Sequence, residues 1–234
     1  MAGARPELVL LPGLDGTGQL FDRLEQRLKA ALQITIVRYP ADAAMTYAGY
    51  AAYVRDVIGE RPVAVLGESF SGPVAISVAA GAPKQIRGVI LSATFVRSPW
   101  PSWLIRRAAR YHPKTAPAFV RNVVLMGRYQ DPDLITTIEA IVANLPPSVR
   151  AARLQAVAAV DVRQELARIA CPILTLHGDG DWLVPKRSLE VALRFNRNAE
   201  MAVIPGAHML LQTRVNDAAR RIMAFMASIG QTTP

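Results

Sequence analysis

At 234 residues, 51% hydrophobic and 19% charged, the chain has the size and balance of one globular domain with an insertion, which excludes a disordered or fibrous protein. Its one cysteine, Cys171, excludes an intramolecular disulfide, and one cysteine with three histidines offers no metal-ligand spacing, so no metal is expected. The net charge of +9, from 27 basic and 18 acidic residues, comes without a basic helix interleaved with aromatics or a zinc module, so nucleic acid is not an expected partner.

Met1 to Pro6 is too short and polar for a secretion leader, and no run approaches the ~18 apolar residues of a transmembrane segment; a cytoplasmic protein is expected. The first apolar run, Leu8 to Leu11, reads as a buried strand. It leads into the loop Leu11-Pro12-Gly13-Leu14-Asp15-Gly16-Thr17-Gly18, whose glycines lack the spacing of a phosphate-binding loop. Helical periodicity over Leu20 to Leu32, a strand over Ile34 to Tyr39 and a helix over Tyr47 to Ile58 follow.

Val63 to Leu66 is the third strand, and Pro73 to Ala80 is helical. Between them lies Gly67-Glu68-Ser69-Phe70-Ser71-Gly72, a strand-to-helix turn with a serine at its apex. Such a turn strains the serine backbone and sets its hydroxyl at a helix N-terminus above the sheet. The positions two before and two after must be small, because strand and helix backbones nearly touch; Gly67 and Ser71 satisfy this. Pro73 falls in the first helical turn, where a missing N–H costs nothing. On this segment alone, an ordinary turn with an exposed serine would read the same way.

Gly88 to Ser92 is the fourth strand, and then the alternation fails. From Arg97 to Arg168 there is helical periodicity without a strand, broken by Pro99, Pro101, Pro113, Pro117, Pro132, Pro146 and Pro147. Strands return at Ile173 to His177 and Met201 to Ile204, with helices over Lys186 to Phe195 and Arg214 to Ile229. Near-continuous Val, Ile and Leu suits strands buried on both faces. The expected fold is a three-layer α/β/α sandwich around a mostly parallel sheet of six strands. Residues 97–168 are too many for a plain loop and form a helical insertion into a core of 1–96 and 169–234. The insertion carries eleven basic and five acidic residues. Anionic substrates, acidic carrier proteins or lipid head groups would be drawn to such a face, although 23 arginines against four lysines also reflects genome composition.

The segment around Ser69 resembles the nucleophile elbow, G-x-S-x-G, of the α/β-hydrolase superfamily, with Ser71 in place of the second glycine. A serine hydroxyl needs an adjacent base and a third group to orient it, and the family supplies them in the order Ser, acid, His. The resemblance implies His208 as base, since Pro205-Gly206-Ala207-His208 follows a strand; His177 reads as a satisfied core histidine, and His112 falls in the insertion. In Gly178-Asp179-Gly180-Asp181-Trp182-Leu183-Val184-Pro185 the family's spacing puts the acid at Asp181. Asp179 then reads as a turn residue bonded to its own backbone, and Asp161 precedes the strand. The oxyanion donors implied are the N–H groups of Phe70 and Leu14, where Pro12-Gly13 replaces the His-Gly of many members.

Residues 97–168 resemble the family's cap, and two antiparallel N-terminal strands of its usual eight are missing. Trp100, Trp103, Tyr111, Met126 and Tyr129 of the insertion, with Trp182 and Met209, are expected either to line an apolar acyl pocket or simply to pack the cap. Cys171, ahead of Pro172 and a strand, reads as a buried or strand-edge thiol. The resemblance implies a cofactor-independent serine hydrolase acting on a small-molecule carboxylic ester, or a thioester, through an acyl-enzyme. The Leu14 loop with Gly-Glu-Ser-Phe is also similar to plastid acyltransferases that esterify phytol and diacylglycerol, so acyl transfer is the first alternative. A non-catalytic ligand receptor on the same scaffold is the second.

Overall fold

A computed structural model describes residues 5–110 and 118–230; Tyr111, His112, Pro113 and Pro117 lie outside them. The strands are β1 (Glu7–Leu11), β2 (Gln33–Ile36), β3 (Val63–Glu68), β4 (Ile86–Ser92), β5 (Ile173–Gly178) and β6 (Ala199–Ile204). They form one sheet in the order β2-β1-β3-β4-β5-β6, and every neighbouring pair is parallel. The helices, in chain order, are α1 (Asp22–Leu28), α2 (Tyr47–Ile58), α3 (Gly72–Gly81), α4 (Ser102–Ala108), α5 (Ala118–Met126), α6 (Pro132–Asn144), α7 (Pro147–Ala159), α8 (Arg163–Ala167), α9 (Arg187–Phe195), α10 (Leu210–Thr213) and α11 (Val215–Gly230).

Strand side chains alternate between two apolar layers. Val9, Leu11, Val63, Val65, Val89 and Leu91 face the layer that also holds Tyr50, Val54 and Ile76 of α2 and α3. Leu8, Leu10, Ala64, Leu66 and Ile90 face the opposite layer, with Leu24 and Leu28 of α1 and Ile222 and Phe225 of α11. Helices cover both faces of the sheet, and the expectation of an α/β/α sandwich is borne out. The helix α3 lies wedged in the first layer, which is why its sequence is apolar all round rather than striped.

Two boundaries differ from expectation. β2 ends at Ile36, because the chain turns from the sheet edge so that the Tyr39 N–H donates to Gly16 O at 2.8 Å. The helix expected over Leu20 to Leu32 is a 3₁₀ turn, Gln19–Phe21, followed by α1 ending at Leu28.

Among the described residues, five helices, α4 to α8, separate β4 from β5. Some of the prolines start these helices rather than merely breaking them: Pro132 opens α6 behind the Asp131 cap, which accepts from Leu134 N–H, and Pro147 opens α7. At the neck of the insertion Arg97 and Asp161 form an antiparallel bridge. Beyond it α8 packs on α3 and α9, whereas α4 packs on α7. Among the described residues no helix is long and apolar enough to cross a membrane.

Candidate active site

The strand register brings the carboxyl ends of β1, β3, β4, β5 and β6 to one edge: Leu11 lies beside Gly67, Glu68 beside Ser92, and Gly178 beside Ile204. That edge is where a parallel α/β sheet opens a crevice for chemistry.

Ser69 has φ 49°, the left-handed region that a non-glycine residue seldom adopts. The surroundings enforce it. A Cβ on Gly67 would overlap the Ser71 carbonyl, and one on Gly72 would overlap the Thr94 side chain. The Thr94 hydroxyl donates to Ser69 O and holds the turn from behind. Ser71, where the family motif has glycine, uses its hydroxyl: it donates to Pro12 O, so Tyr39 OH, 2.7 Å away, donates to Ser71. The elbow is thereby tied to the loop after β1.

His208 Nε2 lies 2.9 Å from Ser69 Oγ, and His208 Nδ1 lies 2.9 Å from Asp181 Oδ2. A carboxylate only accepts, so Nδ1 donates to Asp181; in the neutral ring Nε2 then presents its lone pair to the serine hydroxyl. Asp181 and His208 are 6% and 7% exposed. Asp181 Oδ1 accepts from the N–H groups of Leu183 (3.0 Å) and Val184 (2.9 Å), which fixes the carboxylate. Burial works against a charged His208, but the charge and hydrogen bond of Asp181, with Glu68 behind, outweigh it and raise the imidazole pKa above its ordinary value.

Asp179 differs from expectation. It does not bond its own turn; its Oδ1 accepts from Gly206 N–H at 2.9 Å. Asp179 N–H donates to Ile204 O and Gly180 N–H to Gly206 O, so the acid-bearing and histidine-bearing loops are laced together. A Cβ on Gly178 would stand 2.6 Å from the carbonyl oxygens of Gly206 and Ala207, a separation only glycine permits. His177 is buried as expected, but its Nδ1 has no hydrogen-bond partner, and burial lowers its pKa. Asp161 is bound to Arg163 at the neck of the insertion. Cys171 is half-buried, its thiol pushed up to about 11 by burial.

Gly13 lies beside the serine, since a Cβ there would be 4.0 Å from Ser69 Cβ; Leu14 follows it in a turn closed by Gly16 N–H to Gly13 O at 3.1 Å. Phe70 is buried, stacked on Tyr47 at 4.9 Å, and its carbonyl accepts from Tyr47 OH. Asp15 caps its own loop by accepting from Thr17.

The residues expected to line an acyl pocket divide. Met209 is buried with Met126, Leu134 and Ile138, and its N–H donates to Leu125 O, so this cluster backs the His208 loop. Trp100 donates through Nε1 to Leu183 O, and Tyr129 lies under the Arg214 guanidinium. Trp103 and Trp182 are 68% and 80% exposed, so no pocket encloses either. The reason for Trp103 is that α4 and the cap residue after it spend Ile105 and Ala109 on packing, which leaves Trp103 and Leu104 outside. A groove of about 690 Å³ runs between α2, α3 and α7; its walls include Tyr47, Ala51 and Ala156 but not Ser69, Asp181 or His208.

Three features escaped the sequence reading. Gln212 Nε2 donates to Glu68 Oε1 at 2.9 Å beneath the serine. Tyr39 orients Ser71. Arg153 of α7 reaches the Leu14 loop and is 1% exposed. A signal for Arg153 was present: Val149, Arg153 and Val157 fall at i, i+4 and i+8, so the arginine sits within the buried stripe of its helix.

A serine beside an imidazole that is oriented by a buried carboxylate, on the crevice edge of a parallel sheet, is the architecture of an α/β-hydrolase. The family model described as "Serine aminopeptidase, S33" (Hydrolase_4) matches residues 39–213, and the chain belongs to this α/β-hydrolase family. Among curated relatives, a pimeloyl-[acyl-carrier protein] methyl ester esterase from Xanthomonas axonopodis pv. citri is 27% identical over 247 aligned positions, covering 97% of each chain. Among solved structures, the enol-lactonase of Burkholderia xenovorans LB400 superposes with a TM-score of 0.84 at 18% identity, over 96% of this chain and 92% of that one. An esterase from Exiguobacterium antarcticum gives 0.83 at 14% identity, over 96% and 93%. The protein is an ester-cleaving enzyme.

Proposed function

We propose that the enzyme cleaves a carboxylic ester through an acyl-enzyme on Ser69. The observation that carries this reading is the unbroken chain Ser69 Oγ–His208 Nε2 and His208 Nδ1–Asp181 Oδ2, both links 2.9 Å. His208 takes the serine proton as the hydroxyl oxygen bonds to the carbonyl carbon. The N–H groups of Leu14 and Phe70 hold the resulting oxyanion, and Asp181 stabilises the imidazolium without taking its proton. Collapse breaks the ester bond, and the alcohol leaves with the proton from His208. Water then attacks the acyl-enzyme with His208 again as base, which frees the acid and restores Ser69.

Two observations favour one substrate class, an acyl ester presented on an acidic carrier. The relatives that span this chain are named as esterases of a carrier-bound methyl ester, and residues 97–168 carry six more basic than acidic residues (eleven less five). Thioester cleavage and transfer to an alcohol use the same acyl-enzyme and are separated by product analysis with water and alcohol in competition. Ser69→Ala is expected to abolish turnover of short p-nitrophenyl esters with the circular dichroism spectrum unchanged. Turnover surviving in that variant overturns the assignment.

A further inference from the structure

Arg153 is among the largest fully buried side chains of the protein, and it is a charged one. Its hydrogen bonds run to neutral acceptors. Nη1 donates to Leu14 O and to Asp15 O, each at 2.8 Å; Nη2 donates to Pro40 O at 3.1 Å; and Nε donates to Tyr50 OH at 2.9 Å. The rings of Tyr39 and Tyr50 lie 5.9 and 5.6 Å from its guanidinium carbon. Desolvating a guanidinium without a carboxylate is expensive, and a stabilising role alone would be met more cheaply by an apolar side chain.

What the arrangement achieves is directional. A peptide unit is planar and trans, so fixing a carbonyl fixes the N–H on the opposite side of the same plane. The Asp15 carbonyl and the Gly16 N–H share one plane: Arg153 holds the first, and the second donates to Gly13 O. Gly13 O and the Leu14 N–H share the plane two peptide units earlier, so the Gly16 bond aims the Leu14 N–H away from the turn. The Leu14 carbonyl, on the other side of the Leu14 Cα, is held by the same Nη1. Both planes that flank Leu14 are therefore set, one directly and one through Gly16, by a residue of α7. Gly16 has φ +73°, and a Cβ there would overlap the guanidinium, so the glycine is what admits the arginine.

We infer that Arg153 is a positioning residue for the oxyanion donor at Leu14, through which the helical insertion controls the chemical step. This rests on the reading in which the Leu14 N–H faces the oxyanion. It also makes α7 more than a covering element: a shift of this helix away from the sheet moves the donor.

The test compares wild type with Arg153→Met and Arg153→Lys. Each preparation is titrated with a fluorophosphonate, so that rates are expressed per reactive serine and misfolded protein drops out. With p-nitrophenyl acetate, kcat per reactive serine is expected to fall about 10- to 100-fold in Arg153→Met, less than the ~100- to 1,000-fold that follows outright loss of an oxyanion donor because this donor is displaced and not removed, while KM stays within about twofold. Arg153→Lys, which keeps a donor on a shorter reach, is expected to recover part of the loss. A trifluoromethyl ketone, which places an oxyanion in the same position on reaction with the serine, is expected to lose affinity in proportion to kcat/KM. Unchanged kcat per reactive serine and unchanged ketone affinity in both variants overturn the inference, whatever happens to the melting temperature. Failure of the underlying reading is seen separately, as turnover retained by Ser69→Ala.

Discussion

Glu68 sits directly before the serine, buried, with Gln212 as its hydrogen-bond donor. Burial pushes its carboxyl up to about 7 from an ordinary 4.5; the Gln212 bond and the nearby His208 pull the other way, and the charge of Asp15 adds to the rise. The folded pKa is raised, so the unfolded chain releases its proton first. The contribution of Glu68 to stability is therefore complete below about pH 4.5 and is lost as the pH climbs toward 7, by about 3 kcal/mol at most. Glu68→Gln is expected to remove this decline, so that calorimetric melting temperatures of the two proteins diverge between pH 5 and 8 with the variant higher at pH 8. Parallel curves would contradict it. Ser69, Asp181 and His208 were legible because each carries a local pattern at a strand end. Glu68, Tyr39 and Gln212 were not, because their roles come from distant partners: 144 residues separate Gln212 from Glu68.

The loops that bear Asp181 and His208 are held by backbone contacts with each other. The loops after β5 and β6 meet at Gly178, where a Cβ would press on two carbonyl oxygens 2.6 Å away. Gly178→Ala is expected to cost about 1–3 kcal/mol of stability by denaturant unfolding, since backbone rather than a flexible side chain must yield. It should also lower kcat, because the displaced loop carries His208. A variant as stable and as active as wild type would mean that the two loops move independently. The six strands were legible from continuous apolar runs, and their ends were less so: β2 loses three residues because Tyr39 serves Gly16 rather than the sheet. Asp179 was misread because its sequence neighbours suggest a self-contained turn. Its partner Gly206 comes from the next strand's loop, and no local pattern announces it.

Over the whole molecule, the sheet and its two helical layers define a hydrolase scaffold, and the insertion between β4 and β5 supplies what the scaffold lacks. It delivers Arg153 to the Leu14 loop, leaves Trp103 exposed, and carries eleven basic residues against five acidic ones. That helices and not a strand follow β4 was legible from the missing strand signal. Which of the aromatics there face inward was not, because short helices separated by prolines leave the facing of each one to tertiary packing. If the basic surplus serves an acidic carrier, kcat/KM for a carrier-bound ester should fall about tenfold between low and physiological salt, while a free methyl ester of the same acid is nearly unaffected. Equal salt dependence for the two would contradict recognition of an acidic carrier.

Whether Ser69 carries the acyl group is decided by trapping it. The enzyme is mixed with a short p-nitrophenyl ester, quenched in acid within the first turnovers, digested, and analysed by peptide mass spectrometry. A single acyl group on the peptide containing Ser69, absent from Ser69→Ala, is the expected result. Steady turnover with no acyl group on Ser69, or with the group on another residue, would contradict it.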